Sequence, residues 1–247
     1  MRFLVTGAYG CIGAWTVAEL VLDGHDVVTF DLSTDPRRLR LVLDADVPHI
    51  AGDITDGVQV DRAFDGVTHV IHLAALQVPL VRANPPLGAQ VNVLGTVNVF
   101  EAALRRGLPV VYASSIAAYD ADGTMDGDPS TLYGVFKRTN EQSAAVYHAE
   151  SGIASVGLRP HTVYGVGRDQ GITSAPTVAM LAAAAGTAYE IPFGGVAQME
   201  LARDVARAFV ATSLAELEGA SVHNLPGHGS SCARSSTRSG RSSPART

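Results

Sequence analysis

Three glycines at intervals of three, Gly7, Gly10 and Gly13 in Thr6-Gly-Ala-Tyr-Gly-Cys-Ile-Gly13, limit what this chain can fold into more than any other feature. Before them Arg2–Thr6 is a short run of apolar β-formers, and after them residues 14–22 have helical composition, so the glycines join a buried strand to a helix. At such a junction Gly7 permits a tight turn, Gly10 lets an anionic group approach the main chain, and Gly13 lets helix pack closely on strand. Free N–H groups and the helix dipole then attract phosphate. Taken alone, the motif is equally an ordinary glycine-rich turn.

Downstream residues supply the context. His25-Asp-Val-Val-Thr-Phe30 reads as a second strand ending in Asp31, eighteen residues after Gly13. An acidic side chain near that distance accepts hydrogen bonds from the adenosine ribose hydroxyls and repels a 2′-phosphate, which points to NAD rather than NADP. Pro36-Arg37-Arg38 follows, and its basic residues read as a solvated charge cluster, with a fold-back onto a phosphate as the other option.

Strand and helix then alternate. Residues 48–52, 67–73, 108–113 and 153–158 read as strands, and 58–64, 88–107 and 133–151 as helices. Nearly all-apolar strands in this order describe a parallel sheet covered on both faces. Ala74-Ala75 after the fourth strand would let a flat ring lie against the strand end. His69 and His72 are three apart on a strand and so on opposite faces, which speaks against a metal pair, and no metal is expected. Beyond Arg159 the helices at 178–185 and 204–218 read as a cap over the substrate side.

Charged residues make up 17% of the chain and the formal charge is −6, which argues against a nucleic-acid role. No apolar run approaches the roughly 18 residues of a membrane span, and the chain opens directly on a strand, so the expectation is a cytoplasmic protein. Cys11 and Cys232 form no disulfide framework. From His228 to Thr247 there is no Val, Ile, Leu, Phe, Met, Tyr or Trp, and all 24 acidic residues lie before it. Such a segment is expected to be disordered. A shifted reading frame accounts for it better than a basic interaction tail does.

Tyr133-Gly-Val-Phe-Lys137 opens a helix with its Tyr and Lys stacked on one face. A lysine cation beside a phenol stabilises phenolate, lowering the pKa from ~10. The phenolate can then take a proton from a substrate hydroxyl while the carbon beneath gives up hydride. Ser114 and Ser115, at the end of the fifth strand, offer the accompanying hydroxyl. Ser115 is placed to bond the substrate oxygen, and Ser114 to support the loop.

Together, the glycine loop, Asp31, Asp53-Ile54, His72-Leu-Ala-Ala75, the helix carrying Asn92, Ser114-Ser115 before Tyr119, and Tyr133-Gly-Val-Phe-Lys137 resemble the extended short-chain dehydrogenase/reductase family, the NAD-dependent epimerase/dehydratase group. The resemblance covers residues 1–225. It implies Tyr133 as base, Lys137 as orienter of the nicotinamide ribose, and Ser115 as hydroxyl partner. It also implies a cofactor-binding set of Gly7, Tyr9, Gly10, Cys11, Ile12, Gly13, Asp31, Leu32, Asp53, Ile54, Leu73, Ala74, Ala75, Asn92, Tyr133 and Lys137. Where nucleotide-sugar enzymes of the family carry Arg-x-x-Asn, this chain has Arg159-Pro-His-Thr162. Where they carry an Arg before the later Asp-Val helix, it has Gln198-Met-Glu-Leu-Ala-Arg-Asp204.

The expected architecture is α/β, a doubly wound parallel Rossmann sheet with a small, truncated C-terminal substrate-side cap. Its parts are a NAD-binding domain with the catalytic residues over 1–165, a partial cap over 166–227, with the sixth-strand region and later elements interleaving with the core, and a disordered Ser/Arg-rich tail over 228–247. The expected activity is NAD-dependent hydride transfer at a carbinol of a sugar or nucleotide sugar. The alternatives are a sugar or sugar-acid dehydrogenase using free NAD, and a non-catalytic dinucleotide-binding protein. The expected partner is a small sugar-type molecule, with no nucleic acid and no membrane; a homodimer is left open.

Overall fold

The computed structural model describes residues 1–119 and 127–231. Strands run over Arg2–Thr6 (β1), Asp26–Asp31 (β2), His49–Ala51 (β3), His69–His72 (β4), Val110–Ala113 (β5), Ser155–Arg159 (β6), Thr162–Tyr164 (β7), Val196–Leu201 (β8), Ala220–Asn224 (β9) and His228–Ser231 (β10). Helices run over Cys11–Leu22 (α1), Arg37–Arg40 (α2), Gly57–Ala63 (α3), Val78–Ala83 (α4), Pro85–Ala89 (α5), Gly95–Leu104 (α6), Leu132–Ser151 (α7), Ala175–Ala184 (α8) and Ala202–Leu214 (α9).

The main sheet has the order β3-β2-β1-β4-β5-β6-β9, and every pairing in it is parallel. Order reverses between β1 and β4, so the crevice for a ligand opens at the carboxyl ends of those two strands. Alternate residues of β1 feed the two faces. Phe3 and Val5 pack with Val17, Leu20, Phe209 and Val210 beneath α1 and α9. Leu4 packs with Phe64, Val99, Phe100 and Tyr112 beneath α3 and α6. A strand buried on both sides has no polar face to write, which is why these strands read as continuous apolar runs.

The elements after residue 166 divide between body and cap. Helix α9 was expected in the cap, yet Val205, Ala206, Phe209 and Val210 bury it against α1, and β9 adds a seventh strand beside β6. The cap consists instead of α8 and a three-stranded sheet of order β10-β8-β7, which leaves the end of β6 through β7. The tail expected from residue 228 begins with β10, which pairs antiparallel with β8 through His228↔Met199 to Ser231↔Val196. Strand pairing uses backbone groups and so needs no apolar side chains. Residues 232–247 lie outside the described residues. No described helix is long and apolar enough to cross a membrane.

The stretch 88–107, expected as one helix, is interrupted by a π-helical turn at Gln90–Leu94. Extra residues of this kind in a helix re-aim side chains near functional sites, and here the turn carries Asn92.

Candidate active site

A cleft of about 350 Å³ opens at the switch point. The glycine loop forms its floor. Gly7 sits at φ +67°, and a Cβ there would lie 2.6 Å from the Ala74 nitrogen, so only glycine lets β1 turn against the end of β4. A Cβ on Gly13 would run into the Gly7 carbonyl oxygen and lie 2.8 Å from the Ala8 Cα, which is the close helix-to-strand approach expected of it. A Cβ on Gly10 would meet just the Gly7 oxygen, at 3.2 Å. The first turn of α1 follows, and its N–H groups lack partners within the helix.

At the end of β2, Asp31 faces the cleft. Its Oδ2 accepts from Tyr9 N and its Oδ1 from Ser33 N, both at 2.9 Å, which fixes the carboxylate while leaving further lone pairs for a ligand. Asp53 and Ile54 line the same end. Asp53 closes a local turn by accepting from Thr55 N at 2.9 Å, and Ile54 is anchored by Asn98 Nδ2 on its carbonyl at 3.0 Å. Tyr9, Cys11, Ile12, Leu32 and Leu73–Ala75 also line the cleft. Burial pushes the Cys11 thiol up to about 11, which suits the space-filling role expected of it.

Asn92, expected to touch a cofactor, does not reach the cleft. It is buried, accepts from Leu76 N at 2.7 Å and donates to the Leu76 carbonyl at 2.9 Å. Behind it, Asn140 Nδ2 donates to the Asn92 carbonyl at 2.8 Å. Asn92 therefore shapes the chain after His72-Leu-Ala-Ala75 from below. His72 is held between Thr6 Oγ1 at 2.7 Å and Thr96 Oγ1 at 3.1 Å. Burial pushes its imidazole down to about 3, so it stays neutral.

Helix α7 lies beside the Ala113 end of the cleft, and Ser115, Tyr133 and Lys137 are not themselves among the residues that line it. Thr131 caps the helix by accepting from Gly134 N at 3.1 Å, which puts Tyr133 in the first turn. A Cβ on Gly134 would run into the Ala117 carbonyl, so the helix start lies directly on the 3₁₀ turn Ile116–Ala118. That contact brings Tyr133 to Ser115, whose hydroxyl hydrogen-bonds the phenol. Lys137 is 4% exposed and donates from Nζ to the Ala113 carbonyl at 2.6 Å, with the ammonium 5.8 Å from the Tyr133 ring centroid. Ala113 lines the cleft, whereas Tyr133 lines a separate, smaller cavity of about 230 Å³ beside α4. The structure thus brings Ser115, Tyr133 and Lys137 together. The phenol's acidity differs from expectation: burial raises the Tyr133 pKa above its ordinary value, opposed by the Ser115 hydrogen bond and the charge of Arg168.

Two parts of the site escaped the sequence reading. Arg38, taken with Arg37 as a solvated cluster, lies along the cleft wall with its side chain 16% exposed. It donates to the Tyr9 carbonyl at 3.2 Å and to Asp169 Oδ1 at 2.9 Å, whereas Arg37 stays in solvent. The second is a strap over residues 165–171, tied down where Trp15 Nε1 donates to the Val166 carbonyl at 3.0 Å. Gly165, Gly167 and Gly171 there all have positive φ, and that run of glycines was the available signal. Arg168 lines the cleft from this strap, donates to Thr173 Oγ1 at 2.9 Å, and keeps its Nε buried without a protein partner.

A family model described as NAD dependent epimerase/dehydratase family matches residues 3–223. UDP-glucuronate 4-epimerase 6 of Arabidopsis thaliana is 32% identical over 184 residues, covering 67% of this chain and 40% of that protein. UDP-glucose 4-epimerase of Mycolicibacterium smegmatis is 32% identical over 182 residues, 68% of this chain and 58% of that protein. The chain spans about two fifths of the length of the Arabidopsis relatives it matches. Among solved structures, UDP-glucose 4-epimerase of Thermus thermophilus in complex with NAD superposes with a TM-score of 0.82 at 28% identity, covering 97% of this chain and 82% of that one. MoeE5 in complex with UDP-glucose and NAD gives a TM-score of 0.82 at 30% identity, covering 97% and 81%.

Proposed function

Because the chain belongs to the NAD dependent epimerase/dehydratase family, we propose that it binds NAD in the large cleft and oxidises a carbinol of a sugar or nucleotide sugar there. The observation that carries this reading is the convergence of Ser115, Tyr133 and Lys137 beside Ala113, a residue of the cleft wall. The residues present suit the cofactor. Gly10 leaves room over the loop for a pyrophosphate, and the orphaned Nε of Arg168 offers an anion a donor. Asp31 would hold the adenosine ribose, Asp53 and Ile54 the adenine, and Leu73–Ala75 with Lys137 the nicotinamide side. When bound, NAD supplies a hydride acceptor.

The chain's own residues then manage one proton. Ser115 orients the substrate hydroxyl and Tyr133 takes its proton; in the reverse direction the neutral phenol returns it to a carbonyl oxygen. Lys137, fixed on Ala113, offers a cation near the phenolate as it forms. Because burial raises the Tyr133 pKa, oxidation should quicken as pH rises from neutrality.

A second reading, a sugar substrate without a nucleotide, is favoured by one feature. Where family members acting on nucleotide sugars are expected to present an Asn, this chain has Arg159-Pro-His-Thr162. Arg159 is buried in an ion pair, and His161 donates its backbone N–H to Glu200 at 3.1 Å.

One experiment separates these readings: incubation with NAD and a panel of UDP-hexoses, UDP-uronates and free sugars. NADH absorbance reports net oxidation, and NMR of the recovered sugar reports epimerisation. Turnover of either kind is the expected result, and NAD binding without turnover of any member would reduce the protein to a dinucleotide-binding one.

Asp31 should set cofactor choice. A 2′-phosphate would replace its charge-assisted hydrogen bonds with repulsion, and the nearby Arg38 is already engaged by Asp169 and Tyr9. NAD is expected to bind at least ~tenfold tighter than NADP, about 1.4 kcal/mol. Equal affinities by calorimetry would remove Asp31 from that role.

A further inference from the structure

Lys137 is the chain's one lysine, and every other one of its 18 basic residues is arginine. One helical turn farther along the same face of α7 lies Glu141, 7% exposed. Its Oε1 accepts from the Ser114 hydroxyl and from Arg159 Nε at 2.7 Å. Its Oε2 accepts from Arg159 Nη2 at 2.6 Å and from the Tyr119 hydroxyl at 3.2 Å. Arg159 Nη1 reaches Asn224 Oδ1 at 3.2 Å, and its guanidinium carbon lies 4.3 Å from the Tyr119 ring centroid. One buried carboxylate thus joins α7 to the end of β6, and through Arg159 to β9. It also holds both ends of the 114–119 loop, which carries Ser115.

We propose that Glu141 is a positioning residue that acts through its two neighbours, keeping Lys137 in its ammonium form and holding Ser115 against Tyr133. The catalytic meaning of those neighbours rests on the function proposed above. The charge relation itself does not.

The surroundings support it. Burial pushes Lys137 down to about 8, and the Glu141 charge is what opposes that fall. From β4 the group facing Lys137 is His72, which is neutral; from β5 it is the Ala113 carbonyl, and from its own helix the Tyr133 ring. Glu141 in turn faces Arg159 from β6, the Tyr112 phenol from β5 and Tyr119 from the loop. Among the described residues, then, Glu141 is the anion that acts on the ammonium.

A single lysine makes the test direct. Protein labelled with ¹³C at the lysine ε-carbon gives one side-chain signal, whose titration midpoint is read in the absence of any substrate. Glu141→Gln is expected to lower that midpoint by about one unit, since an opposite charge is lost from the ammonium's surroundings. Glu141→Asp keeps the charge and should keep the midpoint. A merely structural brace would lower Tm in both variants and leave both midpoints at the parent value, and that outcome overturns the proposal. Glu141→Gln leaves Arg159 buried beside a neutral amide, so the double variant Glu141→Gln/Arg159→Gln, which removes both charges, guards against loss of fold. A downward shift is expected there too, smaller because the Arg159 cation leaves with the anion, and an unchanged midpoint in it is equally fatal. Because no substrate enters the measurement, failure of the substrate panel and failure of this proposal remain distinguishable.

Discussion

Gly13→Ala is expected to damage fold and cofactor binding together. The added methyl would run into the Gly7 carbonyl and lie 2.8 Å from the Ala8 Cα, both backbone groups that cannot swing away. Overpacking of this kind costs about 1–3 kcal/mol, a fall in Tm of roughly 2–12 °C for a chain of this size. Relief would come from moving α1 away from β1, which shifts the loop nitrogens that are proposed to meet the pyrophosphate. NAD affinity should therefore fall by more than ~tenfold, about 1.4 kcal/mol. Gly10→Ala is the matched control. Its methyl would meet just one loop oxygen, at 3.2 Å, so it should lose affinity through bulk in the cleft while keeping Tm near the parent value. A Gly13→Ala protein with parent Tm would show that the loop has slack that the close approach denies.

Why the glycine loop was legible while the strap over it was not comes down to where each gets its order. Gly7, Gly10 and Gly13 sit between a strand and a helix whose own residues announce them. The strap 165–171 belongs to no long element, and contacts far away in sequence hold it: Trp15 to Val166, Arg38 to Asp169. The same contrast runs through the fold. Strands β1, β2, β4 and β5 are buried on both faces and so spell themselves in Val, Ile, Leu and Phe. Strand β9, Ala-Ser-Val-His-Asn, lies half-buried at the sheet edge and carries no such signature. Strands β7 and β8 are short or half-exposed and stand on a separate sheet. Helix α4 hides behind a proline in its first turn, a position where the ring costs nothing because that N–H has no helical partner.

In the site, residue type and spacing drew attention to Asp31, Ser115, Tyr133 and Lys137, because the first two stand at strand ends and the last two open a helix. They could not tell that Arg38 turns inward and Arg37 outward: Asp169, more than a hundred residues away, pairs with both, and Arg38 alone also reaches the Tyr9 carbonyl. Nor could they tell that Asn92 points under the loop after β4 rather than into the cleft. A π-helical turn re-aims it, and a composition that reads as plain helix does not reveal such a turn. The Tyr133 acidity was misjudged for a related reason: the Tyr–Lys spacing speaks of charge proximity, whereas the shift is dominated by burial, a property of the whole packing.

Tyr133→Phe carries the largest expected loss of activity. The substitution removes one oxygen and keeps the ring, so the first turn of α7 should stay seated on the 3₁₀ turn through Gly134 and Ala117. The structural cost is the hydrogen bond to Ser115, on the order of 1 kcal/mol, and NAD affinity should survive because Lys137 is held by Ala113 and not by the phenol. What disappears is the acceptor for the substrate proton. Loss of a general base typically slows the step by ~10²–10⁴, or about 2.7–5.4 kcal/mol of barrier. The parent's oxidation rate should climb with pH as the phenol, raised by burial, yields more phenolate; the Phe variant should lack that limb. Both readings use the substrate identified in the panel, under conditions where chemistry limits turnover. A Phe variant that kept more than half the parent kcat, with the same rise with pH, would show that another group takes the proton and would overturn the mechanism.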